Sequence, residues 1–225
     1  MFRSAILAAT LSLASGAFAQ TPPRPLIDGA ALVAAPAQNS AAVAADRLAM
    51  RPAVSAYRLA QARADQPFSP WSAMRPVLGP DFTEARFPRT ARVFSTVLPA
   101  FGLPINAAKE AYARRRPFLE MEGVTQCDAP DERLAASGSF PSGHAAGGWA
   151  WSLVLAELVP SRADALLARG RDYGDSRVIC GFHYPSDVEA GRTIASAALA
   201  PLHADPAFRH QLDEARRELA RVYRD

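Results

Sequence analysis

The chain has 225 residues, 49% of them apolar, and a formal net charge of +3, which suits one domain with a sizeable core. The small net charge, with no basic tail or long basic stripe, argues against a nucleic-acid partner. Beyond the N-terminus no stretch reaches the roughly 18 uninterrupted apolar residues that a membrane span needs, so stable membrane insertion is not expected.

The N-terminus has the three parts of a secretory signal. Arg3 supplies a positive start, an apolar run follows, and residues 17–19 form an Ala-Phe-Ala ending. We expect cleavage after Ala19 and export to the periplasm; the alternative is a buried N-terminal helix. Residues 20–39 are rich in Pro and Ala with little periodicity, and they predict an extended or loosely ordered arm. Residues 40–225 are expected to form one folded domain.

Helical signals dominate the rest of the chain. Composition favours helix over 40–64, with a break or kink at Pro52, and the prolines between 65 and 81 predict turns around a short helix near Trp71. Apolar residues recur at helical spacing in the segments that follow. The further predicted helices are 90–101, 104–116, 145–159, 162–175, 185–199 and 206–224. Residues 118–140 are interpreted as a loop, and no convincing alternating strand pattern occurs. The predicted fold class is therefore all-α, a single-domain helical bundle.

Lys109 stands out because it is the only lysine among the 25 basic residues. A compact ammonium and a planar guanidinium do different jobs, so this single lysine is a candidate site residue. In a helix that starts at Pro104, Lys109 and Arg116 are two turns apart and within about 20° of the same face. Arg114 and Arg115, between them, would point elsewhere and are interpreted as a solvated charged face. The sequence alone leaves open whether Lys109 and Arg116 form a site.

The segment Pro141-Ser142-Gly143-His144 comes directly before an apolar helix that is expected to lie in the core. Ser142 is a suitable N-cap for that helix, and Gly143 follows it directly. Free backbone N–H groups at the start of a helix bind anions. His144 lies in the first turn and is expected to face whatever binds there.

The stretch from Asp175 to Asp187 holds a guanidinium, an imidazole and a carboxylate within eleven residues. Pro185 suits the first position of a helix, which puts Asp187 in its first turn, four residues after His183. A carboxylate on one ring nitrogen of a histidine fixes the tautomer and leaves the other nitrogen free to attack or to bind. Arg177 has a fork that suits phosphate or carboxylate oxygens. The combination indicates phosphoryl-transfer chemistry; a purely structural His–Asp pair is the alternative.

The two cysteines, Cys127 and Cys180, can pair only with each other within one chain. In an oxidising compartment the bridge would close a long loop and contribute about 4 kcal/mol in the chain-entropy model. Two free buried thiols are the alternative. No His-x-x-x-His or Cys-x-x-Cys spacing occurs, so neither a metal site nor a cofactor is predicted. His203 and His210 are interpreted as surface or capping residues.

Together, three short pieces resemble the signature of the phosphatidic-acid-phosphatase type 2 / haloperoxidase superfamily. That pattern is Lys, six residues, Arg-Pro; then Pro-Ser-Gly-His; then Ser-Arg, five residues, His, three residues, Asp. The corresponding pieces here are Lys109…Arg116-Pro117, Pro141-Ser142-Gly143-His144 and Ser176-Arg177…His183…Asp187. From about Asp46 to the C-terminus the chain also resembles the bacterial class A non-specific acid phosphatases. Two departures, Ala145 in place of Thr and Phe140 in place of Tyr, bear on substrate preference and rate.

The resemblance implies an all-α fold and a binding role for five residues. Lys109, Arg116 and Arg177 would clamp the non-bridging oxygens of a phosphoryl group, and Ser142 and the Gly143 amide would complete the cradle. Phosphoryl transfer depends mainly on positioning and charge stabilisation, which these donors supply. Three fixed cations would then do the work of a metal ion.

The resemblance also implies that His183 attacks phosphorus, that Asp187 orients it and that His144 protonates the leaving oxygen. The implied function is a periplasmic, metal-independent acid phosphatase that hydrolyses small phosphate monoesters through a phosphohistidine. The alternatives are a lipid or isoprenoid pyrophosphate phosphatase, a vanadate-dependent haloperoxidase in which His183 would bind vanadium, and an anion-binding protein with an inactive site. The sequence leaves the oligomeric state open, a homo-oligomer included.

Overall fold

The computed structural model describes residues 25–50, 54–129 and 132–223. Within these ranges the regular secondary structure is entirely helical, as predicted. The helices are α1 (Gly29–Leu32), α2 (Ala41–Ala49), α3 (Ala56–Ala64), α4 (Pro70–Leu78), α5 (Pro88–Tyr112), α6 (Pro117–Glu120), α7 (Glu132–Ala136), α8 (Gly143–Leu158), α9 (Ala163–Ile179), α10 (Pro185–Ala204) and α11 (Pro206–Leu219). A short 3₁₀ turn, Pro160–Arg162, joins α8 to α9. The predicted signal segment and Pro52 lie outside the described residues.

Helix α5 is one continuous helix where two were predicted. Pro99 and Pro104 lie inside it, although each removes a backbone donor. Phe101 and Ile105, on either side of Pro104, are both buried in the core. Because the apolar face continues across the prolines, tertiary packing holds the helix together where propensity alone would end it.

The same helix ends earlier than predicted. Ala113 takes a left-handed conformation, with φ at 43°, and its N–H donates to the Lys109 carbonyl at 2.9 Å. Arg116 follows in extended backbone, as the residue before α6. The prediction of a helix running to Pro117 is therefore wrong, and Lys109 and Arg116 do not share a helix face.

Helix α8 is the core helix that the sequence predicts, and it packs against α9, α10 and α5. Glycines permit the close approach. A Cβ at Gly148 would lie 2.4 Å from Cδ1 of Tyr173 in α9, and one at Gly191 in α10 would lie 2.3 Å from the Ser142 carbonyl oxygen. Larger residues at these positions would push the helices apart. The first half of α8 is thus held tightly between α9, which carries Arg177, and α10, which carries Asp187.

The C-terminal helices differ from prediction mainly in where they end. Helix α9 continues to Ile179, so that Arg177 lies in its last turn. Pro185 is the first residue of α10, as predicted, and α11 packs an amphipathic face against α5. His203 Nδ1 donates to the Leu199 carbonyl oxygen at 2.8 Å in the last turn of α10, and His210 is exposed, in keeping with their interpretation as capping and surface residues.

Two predicted irregular regions contain more structure than expected. Residues 25–39 of the arm pack against α5: the Tyr112 hydroxyl lies 2.9 Å from the Ala30 carbonyl oxygen and 2.6 Å from that of Val33. Outside the short helix α1 this part of the arm has no regular secondary structure, and contacts with a distant helix hold it, so of the two interpretations the extended arm fits better than the loosely ordered one. The predicted loop 118–140 includes the short helices α6 and α7. None of the described helices has both the length and the apolar character needed to cross a membrane.

Candidate active site

Lys109 and Arg116 meet around a shared carbonyl group. Lys109 lies in the last turn of α5, and its Nζ donates to the Gly138 carbonyl oxygen at 2.5 Å. Arg116 lies beyond the helix end, and its Nη2 donates to the same oxygen at 3.2 Å. The two predicted clamp residues therefore do converge, through the turn after α5 and not through a common helix face.

Arg116 also contacts His183 in the loop between α9 and α10. Its Nη1 lies 3.0 Å from the Phe182 carbonyl oxygen and 3.1 Å from His183 Nε2. Because a guanidinium can only donate, His183 Nε2 is the acceptor and Nδ1 carries the proton of the neutral ring. Nδ1 faces Asp187 Oδ2 at 3.5 Å, which is longer than a hydrogen bond, and it has no hydrogen-bond partner among the described residues. His183 thus turns Nε2 toward the cations and Nδ1 toward a carboxylate.

Asp187 is fully buried and is bound from several sides. Arg114 Nη1 donates to Oδ1 at 2.7 Å, and the Tyr184 N–H donates to Oδ2 at 2.8 Å. Ser139 Oγ also donates to Oδ2. The carboxylate lies in the first turn of α10, as predicted, where the helix dipole favours negative charge. Burial raises the pKa of Asp187, and Arg114 and the hydrogen bonds act in the opposite direction.

Arg114 does not lie on a solvated face, so that part of the sequence interpretation is wrong. Its side chain is 13% exposed, and besides Asp187 it binds Asp46, with Nη2 2.8 Å from Oδ2. The left-handed residue Ala113 ends the helical register just before Arg114, which is why helical periodicity assigned it to the wrong face. Arg115 is exposed, as predicted.

Arg177 is buried and has a donor without a partner. Its Nη1 donates to Gln66 Oε1, and its guanidinium carbon lies 4.5 Å from the centre of the Phe182 ring. Its Nε is buried and makes no hydrogen bond to a described residue. A buried N–H of a cation is costly to leave unpaired, so Arg177 is suited to bind an anion.

The start of α8 has the cap that the sequence predicts. Ser142 Oγ accepts from the Ala145 N–H at 3.2 Å, and the Ser142 N–H donates to the Asp187 carbonyl oxygen at 2.8 Å. Ser142 is fully buried, and from the start of α8 it is Gly143 and His144 that line the adjacent cavity. The positive end of the helix dipole therefore faces the cavity through these two residues. A direct contact between Ser142 and phosphate stays a prediction.

His144 is held between aromatic rings and a carbonyl group. Its ring stacks on Tyr173, with centroids 4.4 Å apart and an interplanar angle of 17°, and it lies 5.4 Å from the Phe68 ring. Its Nε2 lies 2.8 Å from the Asp65 carbonyl oxygen. No carboxylate takes part in these contacts, which distinguishes His144 from His183.

These groups line one cavity of about 350 Å³. Besides Asn106, its polar lining consists of basic residues and histidines: Lys109, Arg116, His144, Arg177 and His183. Apolar residues also line it, and two of them, Phe68 and Leu98, are 47% and 44% exposed and mark its mouth. The described lining contains no Asp or Glu. The cavity therefore suits a small anion that is attached to a less polar group.

Burial and mutual repulsion lower the pKa values of the cations. The pKa of Lys109 falls to about 7, chiefly because of burial and then because of Arg116, while Asp187 acts in the opposite direction. The pKa of Arg116 and that of Arg177 each fall to about 10, again chiefly through burial. The strain of holding three positive charges together is relieved when an anion binds among them.

Both histidines are neutral in the free protein. Burial, followed by the charges of Arg116 and Lys109, holds the pKa of His183 well below its ordinary value. Burial, followed by Arg177, lowers the pKa of His144 to about 3. A neutral imidazole is a nucleophile and an imidazolium is not, so the free protein has His183 in the form that can attack. A dianion in the cavity would offset the charge of Arg177 and raise the pKa of His144.

Cys127 and Cys180 form a disulfide, as one of the two sequence interpretations has it. The bridge joins positions 53 residues apart. Cys180 is the C-cap of α9, so the bridge ties the end of that helix and the loop that carries His183 to the segment before α7. The alternative of two free thiols does not hold for this structure.

Sequence reasoning missed several polar residues that hydrogen-bond to predicted site residues or to Arg114. Among them are Asp46, Asp65, Gln66 and Ser139. Arg114 pairs with Asp46 across 68 residues, and Arg177 with Gln66 across 111. No motif or periodicity connects such distant positions, so no local signal could have identified them. The two departures noted above, Phe140 and Ala145, are both buried, and neither is a cavity-lining residue.

The fold and the cavity define a class: an all-α protein with a buried, cationic pocket that contains an oriented, neutral histidine. Residues 91–210 match the PAP2 superfamily, and the chain belongs to that family. Every residue of the three sequence pieces lies within the matched range. Asp46 and residues 65–68 lie outside it.

Named relatives resemble the chain over part of its length. It is 42% identical over 153 residues to a non-specific acid phosphatase of Providencia stuartii, covering 67% of this chain and 61% of the relative. It is 39% identical over 138 residues to an acid phosphatase of Zymomonas mobilis, covering 61% and 52%. It is also 39% identical over 101 residues to a lipid A 1-phosphatase of Rhizobium etli, covering 45% and 43%. The matched segments thus span about two fifths to three fifths of these relatives.

Proposed function

We propose that this protein is a metal-independent acid phosphatase that hydrolyses small phosphate monoesters through a phosphohistidine at His183. The observation that carries the proposal is the convergence of Lys109, Arg116 and Arg177 on the cavity that His183 faces with Nε2. The acid phosphatase names of the relatives support it. The absence of acidic groups from the described cavity lining favours a dianionic ester over a cationic substrate.

The reaction follows from what each group can do. The three cations bind the non-bridging oxygens of the phosphoryl group and stabilise the charge that develops there. His183 Nε2 attacks phosphorus, a P–N bond forms and the bond to the ester oxygen breaks. The positive charge that develops on the imidazole is stabilised by Asp187, and the attraction is expected to shorten the 3.5 Å separation.

In this proposal His144 transfers a proton to the leaving oxygen. Its pKa of about 3 in the free protein rises when a dianion binds, so that it takes up a proton from solvent and can pass it to the departing alkoxide. The resulting neutral His144 then removes a proton from water, which attacks phosphorus and breaks the P–N bond. Inorganic phosphate leaves, the pKa of His144 falls again, and its proton returns to solvent, which regenerates the starting enzyme.

The test is to trap the intermediate. Labelled substrate is mixed rapidly with the enzyme and quenched in alkali, because a phosphohistidine is labile in acid and survives base. The label is expected on the peptide that contains His183. Turnover should survive EDTA and be inhibited by vanadate, which can adopt the transition-state geometry. A label on His144, or activity lost to EDTA and restored by Mg²⁺ or Zn²⁺, would contradict the proposal.

A lipid phosphatase is the second candidate, because one relative is named a lipid A 1-phosphatase and exposed apolar residues mark the cavity mouth. Soluble aryl, sugar and nucleotide phosphates should be compared with phospholipid and isoprenoid pyrophosphate substrates in detergent. We expect faster turnover of the soluble esters. Bromide oxidation by peroxide in the presence of vanadate, without phosphatase activity, would instead identify a haloperoxidase.

We also propose that the protein is exported to the periplasm after cleavage behind Ala19. The signal-like N-terminus and the disulfide both suit an oxidising compartment. Edman sequencing of protein from a periplasmic extract should begin at Gln20. Recovery of the chain from the cytosol with Met1 intact would refute export.

A further inference from the structure

Residues 65–68 touch the predicted site at four successive positions. The Asp65 carbonyl oxygen lies 2.8 Å from His144 Nε2, and the Gln66 side chain accepts a hydrogen bond from Arg177. The Pro67 carbonyl accepts from the hydroxyl of Tyr173, at 2.6 Å, and the ring of that tyrosine stacks on His144. Phe68 lines the cavity. One short segment, outside the range of the family match, thus contacts the two site residues His144 and Arg177.

A buried ion pair holds this segment in position. Both guanidinium Nη atoms of Arg169 donate to the carboxylate of Asp65, and these two side chains are only 5% and 3% exposed. Ser176 Oγ also donates to the carboxylate, at 2.6 Å, and Arg169 Nε donates to the Ala73 carbonyl at 2.7 Å. A two-pronged pair with its remaining groups satisfied fixes orientation as well as position. The Asp65 backbone is therefore anchored by its own side chain to α9.

The anchored carbonyl determines which nitrogen of His144 can exchange a proton. A carbonyl oxygen can only accept, so Nε2 must be the protonated nitrogen of the neutral ring. The ring therefore has its lone pair on Nδ1, and Nδ1 is the atom that would gain and lose the catalytic proton. The Gln66 amide is oriented for the same reason. Arg177 can only donate hydrogen bonds, so the amide oxygen of Gln66 must face it.

We propose that residues 65–68 form a positioning segment, in which Asp65 selects the Nε2–H tautomer of His144 and Gln66 aims Arg177 at the bound phosphoryl group. The inference rests on the proposed phosphatase function. It adds two positioning residues that act on different steps, since Asp65 acts on proton transfer to the leaving group and Gln66 on anion binding. A purely structural role for the segment would affect every substrate alike.

The first test is direct and needs no turnover. In protein labelled with ¹⁵N-histidine, the ring nitrogens of His144 should show the neutral Nε2–H tautomer, with assignment by comparison with His144→Gln. The signal should persist near neutral pH in the free protein. An Nδ1–H tautomer at His144 would overturn the assignment of Asp65, whatever the enzyme activity turns out to be.

The second test separates the two residues by kinetics. Asp65→Ala should lower kcat/KM for an alkyl phosphate about tenfold or more, a fraction of the 10²–10⁴ that a general acid contributes. It should change kcat/KM for p-nitrophenyl phosphate by less than about threefold, since that leaving group departs without a proton and kcat/KM does not include the later attack of water on the phosphohistidine. Gln66→Ala should instead weaken inhibition by inorganic phosphate and lower kcat/KM for both esters by the same factor. Equal loss on both esters in Asp65→Ala, or a leaving-group dependence in Gln66→Ala, would overturn the inference.

Matched controls keep a folding defect from being mistaken for a positioning effect. Glu218→Gln removes a carboxylate that accepts hydrogen bonds from the backbone N–H groups of Arg89 and Thr90. These residues lie at the start of α5, about 28 Å from Lys109 by helical rise. It should lower stability without altering the ratio of alkyl to aryl rates. If Asp65→Ala does not fold, Arg169→Lys keeps the charge but loses the fork, and it should show the same ratio change to a smaller extent. A wild-type protein that hydrolyses neither ester would refute the proposed function, while the tautomer measurement would still decide the role of Asp65.

Discussion

The two histidines of the cavity have opposite surroundings. His183 lies in a loop among three cations, with a buried carboxylate facing its second nitrogen. His144 lies in the first turn of a helix, between aromatic rings, with a carbonyl on Nε2 and one arginine as its main charged neighbour. A ring that must become cationic during attack benefits from a nearby carboxylate, and a ring that must shuttle a proton benefits from a fixed tautomer. The difference teaches that environment, and not residue type, assigns the two roles.

The largest effect is expected on removing the nucleophile. His183→Ala should abolish turnover of every phosphate ester, by at least about 10⁴-fold, because the covalent route is lost. Steady-state rates with aryl and alkyl phosphates measure it. Phosphate binding, followed by calorimetry, should persist because the three cations remain. Appreciable turnover in this variant would show that the comparison assigns the wrong nucleophile.

Removing the other histidine should be selective. His144→Ala should lower kcat/KM by a factor on the order of 10²–10⁴ with an alkyl phosphate. The factor should be far smaller with p-nitrophenyl phosphate, whose phenolate leaves without a proton. Some loss with the activated ester is expected if His144 also contacts phosphoryl oxygens. Equal damage to both substrates would remove the distinction between the two rings.

Deprotonation of Lys109 should affect the phosphate clamp next to His183 and should leave His144 unchanged. Its pKa of about 7 predicts that kcat/KM falls about tenfold per pH unit above 7, as the clamp loses one charge. In Lys109→Arg this basic limb should disappear, even if the rate is lower. Folding stability provides a second readout: the folded pKa lies below the ordinary 10.5, so the unfolded chain binds more protons and stability should rise with pH between about 7 and 10.5. A basic limb that persists in Lys109→Arg would assign it to another group.

Arg114 and Arg115 provide a variant and its matched control for testing the role of Asp187, the carboxylate that faces His183 Nδ1. Arg114→Gln leaves Asp187 buried without its cation, so stability should fall by about 3 kcal/mol. Activity should fall on the order of tenfold, well below the roughly 10⁴ that losing the orienting carboxylate of a catalytic histidine can cost. Arg115→Gln, at the exposed neighbour, should change neither quantity.

The change in the pKa of Asp187 determines how activity and stability of the Arg114 variant depend on pH. Burial already raises the pKa of Asp187, and loss of Arg114 raises it further, so the acid limb of activity should move to higher pH. The folded protein then binds more protons than the unfolded chain, so the destabilisation should be largest at neutral pH and shrink as the pH falls. A variant whose acid limb does not move would mean that Arg114 supports the fold without tuning Asp187.

The smallest effect on chemistry is expected from the disulfide. Replacing Cys127 and Cys180 together with Ala should lower the free energy of unfolding by about 4 kcal/mol, while activity at low temperature changes little. Denaturant titration with and without reductant measures the first quantity. The bridge ties the loop of His183 and not the helix start of His144, so any rate loss should be the same for alkyl and aryl esters. A loss confined to alkyl esters would contradict that separation.

Much of this molecule is predictable from local sequence, and particular residues show why. Ser142 caps α8 and Pro185 starts α10, because caps and first-turn positions depend on residues within four places in the chain. The helix-favouring, Ala-rich composition and the lack of a convincing alternating strand pattern together predict the all-α class. The three short pieces likewise identify the basic residues and histidines that line the cavity, since each piece keeps its chemistry within about a dozen residues.

Only the tertiary structure decided how those pieces meet. Lys109 and Arg116 converge on one carbonyl although they share no helix face, because Ala113 ends the register between them. Arg114 is part of the site and Arg115 is solvated, a difference that no periodicity distinguishes. Asp65 and Gln66 reach His144 and Arg177 across 79 and 111 residues. Local interactions determine helices and caps, whereas pairs so far apart form only once glycine-lined contacts have brought α8, α9 and α10 together.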